Sequence, residues 1–534
     1  MIMKLLLLRL PLVLQVVAAS PLSEATSFGP RGPPCRGNTP TTRGQWCGHS
    51  INTDYTREAP NTGVTREYWL ELTDVMVAPD GVSRPAIGNG TSIHFHGIRQ
   101  LFTNQNDGVT SVTQCPTPVG HSVTYRWRAL QYGSTWYHSH FALQAWEGVY
   151  GGLVINGPAT ANYDEDLGPL ILTDWSHTTV DQFSAQDKGQ LLPPIMDSGL
   201  INGTNTFRTG GRRLTIRVSA GKSYRIRLVN AAVDTHFKFS VDHHTLKVIA
   251  ADLVPIKPYS TKVINISMGQ RYDIVLTANQ GHFARNFWMR TVPQACSFNR
   301  NAHQIRAIVH YDDALSTPST IRYPSVPLCK DETRNLIPYI KKGFGNANRQ
   351  SSEIVAIKKR GPLFHWTLNS TAMRLEWGNP TLKKIMDRNP AFRRSNAVIE
   401  LPEPNIMFAM VIQTYLPVPH PIHLHGHDFY ILAQGVGVYS HNRVQLNHIN
   451  PPRRDTAILP ALGYLVIAFE TDNPGAWLMH CHIGFHLNDG FGLQFIERAR
   501  EIPAIIDRAL LDSGCAAWRS FQALNSINQD DSGV

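Results

Sequence analysis

"HCHIGFH", residues 480–486, sets a cysteine between two histidines and adds a third histidine four residues after the second. A structural zinc site needs four converging ligands, usually with several thiolates. A catalytic cysteine needs a single general base. The stretch fits neither. As a strand it alternates faces, so His480 and His482 point one way and Cys481 the other. One short segment then serves two separate metal centres, and the rest of the chain must supply their remaining ligands.

Three further segments do so: "HFHG" at 94–97, "HSH" at 138–140 and "HPIHLHGH" at 420–427. A lone histidine on an apolar strand is more often a hydrogen-bonded core residue than a ligand. Four segments with His-x-His spacing among 23 histidines are a different matter. Each pair puts two imidazoles on one strand face, about 6.6 Å apart along the backbone, suited to a shared cluster. Imidazole suits zinc, copper, iron and nickel, but one thiolate with two histidines is the blue-copper set. Zinc hydrolases usually add carboxylates, and no H-E-x-x-H occurs.

At 534 residues the chain exceeds one core and predicts several domains. It opens "MIMKLLLLRLPLVLQVVAAS", the pattern of a signal peptide cleaved between Ala18 and Pro21, so the mature protein is expected outside the cell. No later run approaches the roughly 20 apolar residues of a membrane span, and no membrane partner is expected. Of the seven cysteines, six can form three disulfides in an oxidising compartment, leaving Cys481 as the odd thiol. Sequons at Asn89, Asn202, Asn265 and Asn369 fit a secreted glycoprotein. The formal charge of +10 includes Lys4 and Arg9, which leave with the signal. The densest basic stretch, 211–230, alternates Arg225 and Arg227 with Tyr224, Ile226 and Leu228. That predicts a half-buried strand with its basic face in water, not a nucleic-acid site.

Short β-rich runs recur, among them "REYWLEL", "SVTYRWRAL", "RLTIRV", "SYRIRLVN" and "GYLVIAFET", punctuated by Gly, Pro and Asn. The clearest helical run is "IPAIIDRALL", 502–511. "TYRWRALQYGSTWYHSH" and "YLVIAFETDNPGAWLMHCH" share a plan of apolar strand, turn, aromatic and His-x-His. The reading is an all-β chain of three β-sandwich domains, with the metal chemistry between the first and third. The boundaries are a signal peptide at 1–20, domains at 45–160, 161–315 and 353–500, a linker at 316–352 and a tail at 501–534.

In order and separation the four histidine segments resemble the copper-binding signatures of the multicopper oxidases, whose domains are cupredoxin-like Greek keys. "YRWRALQYGSTWYHSH", "NPPRRDT" and "TDNPGAW" extend the resemblance to secreted ascomycete laccases over nearly the whole chain. It implies four copper ions. His420, Cys481 and His486 would hold the type 1 (blue) copper, and His94 and His423 the type 2. His96, His138, His140, His425, His480 and His482 would hold the type 3 pair. His427 matches no ligand, and a structural hydrogen bond is expected of it. The resemblance pairs Cys35–Cys47, Cys115–Cys515 and Cys296–Cys329, and makes the final "DSGV" a plug over the channel to the trinuclear cluster. Phe491 takes the axial position of the blue copper, where other members have methionine. Asp234 matches the carboxylate that accepts a phenol proton, and Asp107 the one that relays protons at the cluster. Phe364, Trp366 and Phe485 match the walls of the substrate pocket. The implied activity is one-electron oxidation of small phenols and aromatic amines coupled to reduction of O₂ to water, by a monomer.

One departure stands out. "PDGVSRPAIGNGTSIHFHG" runs directly from Arg84 to Asn89, where the family carries about two more strands, on the order of 25–30 residues. The first sandwich should therefore expose core and new edges. Misplacement of the adjoining "HFHG" strand would damage the trinuclear cluster before the blue site, giving a blue protein poor at reducing oxygen. Two other readings compete: a multicopper oxidase of other specificity, ferroxidase or ascorbate oxidase, and a copper-binding but inactive product. A ferroxidase would place carboxylates around His420 and His486, where Gly484 and Phe485 stand.

Overall fold

A computed structural model describes residues 35–86, 90–187, 194–311, 316–345, 347–361, 363–388 and 391–534. The signal segment 1–20 and Asn89 lie outside the described residues. The fold is all-β. In the middle of the chain a six-stranded sheet containing Glu165–Trp175, Ser223–Asn230 and Arg271–Thr277 accompanies a five-stranded sheet containing Phe237–Val241 and Asn286–Pro293. The last third repeats the pairing. Its six-stranded sheet includes Arg349–Arg360, Met407–Thr414 and Gly463–Glu470, and its five-stranded sheet runs Val398–Leu401, Gly492–Glu497, Gly475–Cys481, His420–Leu424, Thr456–Leu459. Arg349, inside the expected linker, already lies in a strand.

The strand Gly475–Cys481 is buried at every residue because it has a neighbour on each side in the sheet and packing on both faces. Its register with His420–Leu424 sets His423 opposite His480 and Ile422 opposite Cys481. In the first third, Ile93–His96 pairs antiparallel with Gly133–Ser139, His94 opposite His138. The "HFHG" strand is thus in register despite the adjoining gap, contrary to the expectation that it would be misplaced.

The gap is felt elsewhere. "REYWLEL" (66–72) and "SVTYRWRAL" (122–130), both expected to be strands, carry no ladder pairing. Tyr125 and Trp127 lean on Phe95, but Tyr68 is 79% and Trp69 87% exposed, with Val64, Leu70 and Leu72 beside them. An extended segment without a neighbour keeps its N–H and C=O groups for water, and its apolar face stays uncovered.

Two other expectations need correction. Arg225 and Arg227 do not face water; both are buried, because the strand Ser223–Asn230 is covered on both faces. Arg227 donates to Asp166 at 2.6 Å and to the Ser134 hydroxyl of the first domain at 2.7 Å, and Arg225 pairs with Asp273. The C-terminal helix starts later than its apolar run suggests, at Arg508, and continues to Leu524. Pro503 belongs to a short 3₁₀ turn, and the Asp507 side chain caps the helix by accepting from Leu510 N at 3.0 Å. All three disulfides pair as implied, with Cys481 the free cysteine. Among the sequons, Asn369 is exposed, whereas Asn265 is buried and donates to Glu332.

Inserting a family-like segment between Arg84 and Asn89 should pair residues 66–72 and 122–130. Each large apolar side chain returned to a core contributes about 1.5–3 kcal/mol. The thermal midpoint should therefore rise by several degrees and binding of a hydrophobic dye should fall. A midpoint and dye binding equal to those of the chain as it stands would show that these segments are not a missing-strand edge.

Candidate metal centres

The sheet register brings the histidine segments together at two places. At the first, one ligand atom each from His420, Cys481 and His486 lie within 4.8 Å of one another. Cys481 Sγ is 3.5 Å from His486 Nδ1 and 3.8 Å from His420 Nδ1. Burial pushes the Cys481 thiol well above its ordinary value, and the nearby Asp234 charge adds to this. Burial lowers His420 to about 3. Phe491 offers no donor atom; its ring stands 5.0 Å from that of His420, and its carbonyl accepts from Cys481 N.

At the second place the other eight histidines meet, all nearly or fully buried. Sets close enough to share an ion are His94–His96–His138, His94–His423–His425 and His140–His425–His480. The ring of His482 lies 5.0 Å from that of His96 and 5.7 Å from that of His138. Burial first, then neighbouring imidazoles, hold His96, His138, His140, His423, His425 and His482 well below the usual range. Neutral imidazoles are what a metal needs.

Their tautomers are set from outside the cluster. His94 Nδ1 donates to Asp107 O, His423 Nδ1 to Asp455 O and His138 Nδ1 to Ser139 O, at 2.8–2.9 Å. The Nε2 atoms of His94, His138 and His423 are then buried with no hydrogen-bond partner. His96 is the reverse: Nε2 faces Asp455 and Thr456, and Nδ1 is left over. These orphaned lone pairs, converging in a buried pocket of imidazoles, fit metal ions, and the thiolate of the neighbouring centre selects copper.

Asp107, fully buried, lies 2.9 Å from His425 Nδ1 and 3.2 Å from His94 Nδ1. His427 stays outside the cluster as expected, donating Nδ1–H to His425 O at 3.1 Å with Glu497 3.0 Å from Nε2. Trp366 lies against the ligand imidazoles, its ring 4.0 Å from His486 and 4.8 Å from His420. Phe364 is half-buried two residues away on the same strand. Phe485 packs with Leu143, Val180, Met196 and Val233. Asp234 is 6% exposed, its backbone N–H donated to Asp174. At the C-terminus Val534 is buried, and Gly533 O accepts from Ser111 Oγ at 2.5 Å and Thr110 Oγ1 at 3.2 Å.

Sequence reading missed Asp455, Arg271 and Gly269. Asp455 takes a two-pronged bond from buried Arg271, 2.6 Å on each arm, while touching His96 and holding His423. Burial pushes the Asp455 carboxyl up, to about 6, against the pull of Arg271. Gly269 sits at φ +80°, where a Cβ would come within 2.9 Å of His482 and 3.1 Å of His96. The "RRDT" run was the available signal for Asp455; Arg271 and Gly269 lie in the middle domain, whose sequence has no His-x-His pair, and had none.

Replacing Cys481 by serine should abolish the intense thiolate-to-copper absorption while the type 3 signal persists; a Cys481→Ser protein that stays blue would refute the assignment. Arg271→Ala strips a buried ion pair of one partner, a loss of about 3–5 kcal/mol. A denaturant midpoint within error of the parent would show that the pair does not hold the middle domain to the cluster.

Three multicopper oxidase family models match the chain, at residues 86–160, 166–314 and 367–501. Laccase-2 and Laccase-1 of Botryotinia fuckeliana are 39% and 42% identical to it, each alignment covering 93% of both chains. The Laccase-2 alignment runs over 547 residues while taking in 93% of a 534-residue chain, so the relative holds stretches that this one skips. The crystal structure of the laccase from Botrytis aclada superposes with a TM-score of 0.89 at 39% identity, covering 93% of this chain and 99% of that one. Fet3p, a multicopper oxidase that functions in iron import, shares the fold at 22% identity. The chain therefore belongs to the multicopper oxidases and is a laccase of the ascomycete type, an oxidoreductase whose cofactor is four copper ions, one type 1, one type 2 and a type 3 pair.

Proposed function

We propose that the chain withdraws single electrons from small phenols and aromatic amines beside His486 and delivers four of them to O₂, giving two waters. The single observation that carries this is the place of Cys481. It faces His420 and His486, while its chain neighbours His480 and His482 stand in the all-imidazole cluster. The two centres are thereby joined through a few covalent bonds, with a shortcut where His480 Nδ1 donates to Cys481 O at 2.9 Å. When bound, copper supplies reversible one-electron chemistry at the first centre and oxygen reduction at the second. His420, Cys481 and His486 would hold the type 1 ion, His94 and His423 the type 2, and the remaining six histidines the type 3 pair.

The chain's own residues do the rest. Trp366, Phe364 and Phe485 present apolar surface to an aromatic ring beside His486. Asp234 takes the proton a phenol loses with its electron. Asp107, touching His94 and His425, moves protons toward reduced oxygen. Phe491 leaves the blue site without an axial donor, which raises its potential. The C-terminal residues plug the channel; support comes from Thr110 Oγ1, which bonds both Gly533 O and the carbonyl of His140. Export to the cell exterior is part of this reading, supported by the leader-like start and three disulfides.

Asp234→Asn should slow phenols by about 10²–10⁴-fold, the range of general-base catalysis, and spare donors that lose an electron without a proton. Equal losses for both donor types would remove Asp234 from proton transfer. Phe491→Met adds a weak axial ligand and should lower the blue-site potential in a redox titration. An unchanged potential would mean that the side chain is not axial.

A further inference from the structure

We propose that Lys359 makes this pocket selective for phenols that carry a carboxylate on a short arm, of the phenylpropenoic-acid kind, over neutral phenols. The inference rests on the laccase reading of the same pocket. The strands Arg349–Arg360 and Leu363–Leu368 pair in unbroken register, with Ile357 opposite Trp366 and Lys359 opposite Phe364. Residues directly opposite share a sheet face, and residues two apart recur on it. Trp366, Phe364 and Lys359 therefore stand on one face, and that face begins at the ligand imidazoles, 4.0 Å from the His486 ring. Lys359 Nζ lies 5.5 Å from the centroid of Phe364, within reach of a cation–π contact.

From His486 outward the order is imidazole, indole, phenyl, ammonium. The step from Trp366 to Phe364 is two strand residues, about 6.6 Å, so the ammonium stands roughly one substituted ring beyond the indole on that face. Lys359 is exposed and enters no ion pair among the described residues. Its neighbour Lys358 turns to the other face and donates to Ser370 O. The Asp234 charge is near enough to Cys481 to act on its thiol, which puts it toward the blue-copper end. A carboxyl there and an ammonium at the far end suit a molecule with a phenol at one end and a carboxylate at the other. The aromatic body of such a molecule would lie along Trp366 and Phe364.

The test compares the holoprotein with Lys359→Gln and Lys359→Glu in two assays. Calorimetry measures binding of para-methoxycinnamate, whose phenol is blocked as an ether, and of its methyl ester. Turnover measures kcat/KM for ferulate and for methyl ferulate. The acid-to-ester ratio should fall about two- to fivefold in Lys359→Gln, the scale of one exposed ion pair. It should fall further in Lys359→Glu, and the difference should shrink as salt is raised. A ratio equal in all three proteins would overturn the proposal and leave Lys359 a solvated surface charge. Binding that depends on Lys359 in a protein that oxidises neither ferulate nor its ester would uphold the lysine and sink the laccase reading instead. Oxidation of both with an unchanged ratio would do the opposite.

Discussion

The two-residue period of one buried strand is the constraint on which the rest depends. In Gly475–Cys481 successive side chains must face opposite sides. The sheet therefore delivers Cys481 to one centre and His480 to the other within a single peptide unit. A slip of one residue would exchange the faces and destroy both sites together. The flanking strands lock that register, with His423 opposite His480 on one side and Gly492–Glu497 on the other.

Gathering eight buried imidazoles in one place has an electrostatic consequence. Burial and the neighbouring rings hold His96, His138, His140, His423, His425 and His482 well below the usual imidazole range, which favours the neutral form that a metal ion needs. The surrounding shell is the opposite, dense with paired charge. Arg271 with Asp455 and Arg454 with Asp252 cross between the middle and last sandwiches, all four residues buried. Such pairs contribute little net stability compared with apolar packing but penalise any other docking of the two bodies heavily. The middle domain, which carries no ligand, thus acts as the cluster's outer wall through Arg271 and Gly269.

The break in the first sandwich spares the ladder that carries His94, His96 and His138. The three-stranded sheet of Ile93–His96, Gly133–Ser139 and Tyr150–Ile155 keeps its pairing, whereas residues 66–72 and 122–130 carry no ladder pairing. That separation explains why the four histidine segments still meet in a chain with Trp69 in water. Sequence pattern alone placed the damage at the nearest ligand strand; the hydrogen-bonding partners of each strand decide where it lands.

What the chain's linear order determined by itself was the chemistry. His-x-His spacing, one thiolate in an odd-cysteine count and alternation in "HCH" are local properties, legible because strand geometry converts spacing directly into a shared face. The all-β class was legible for the same reason. Only the tertiary structure decided which partners finish the site. Asp455, Arg271 and Gly269 act on imidazoles distant in sequence, and nothing in their own neighbourhoods marks them. Arg225 and Arg227 teach the same lesson from the other side: alternation predicts which residues share a face, but what covers that face, water or a second domain, is a property of the packed whole.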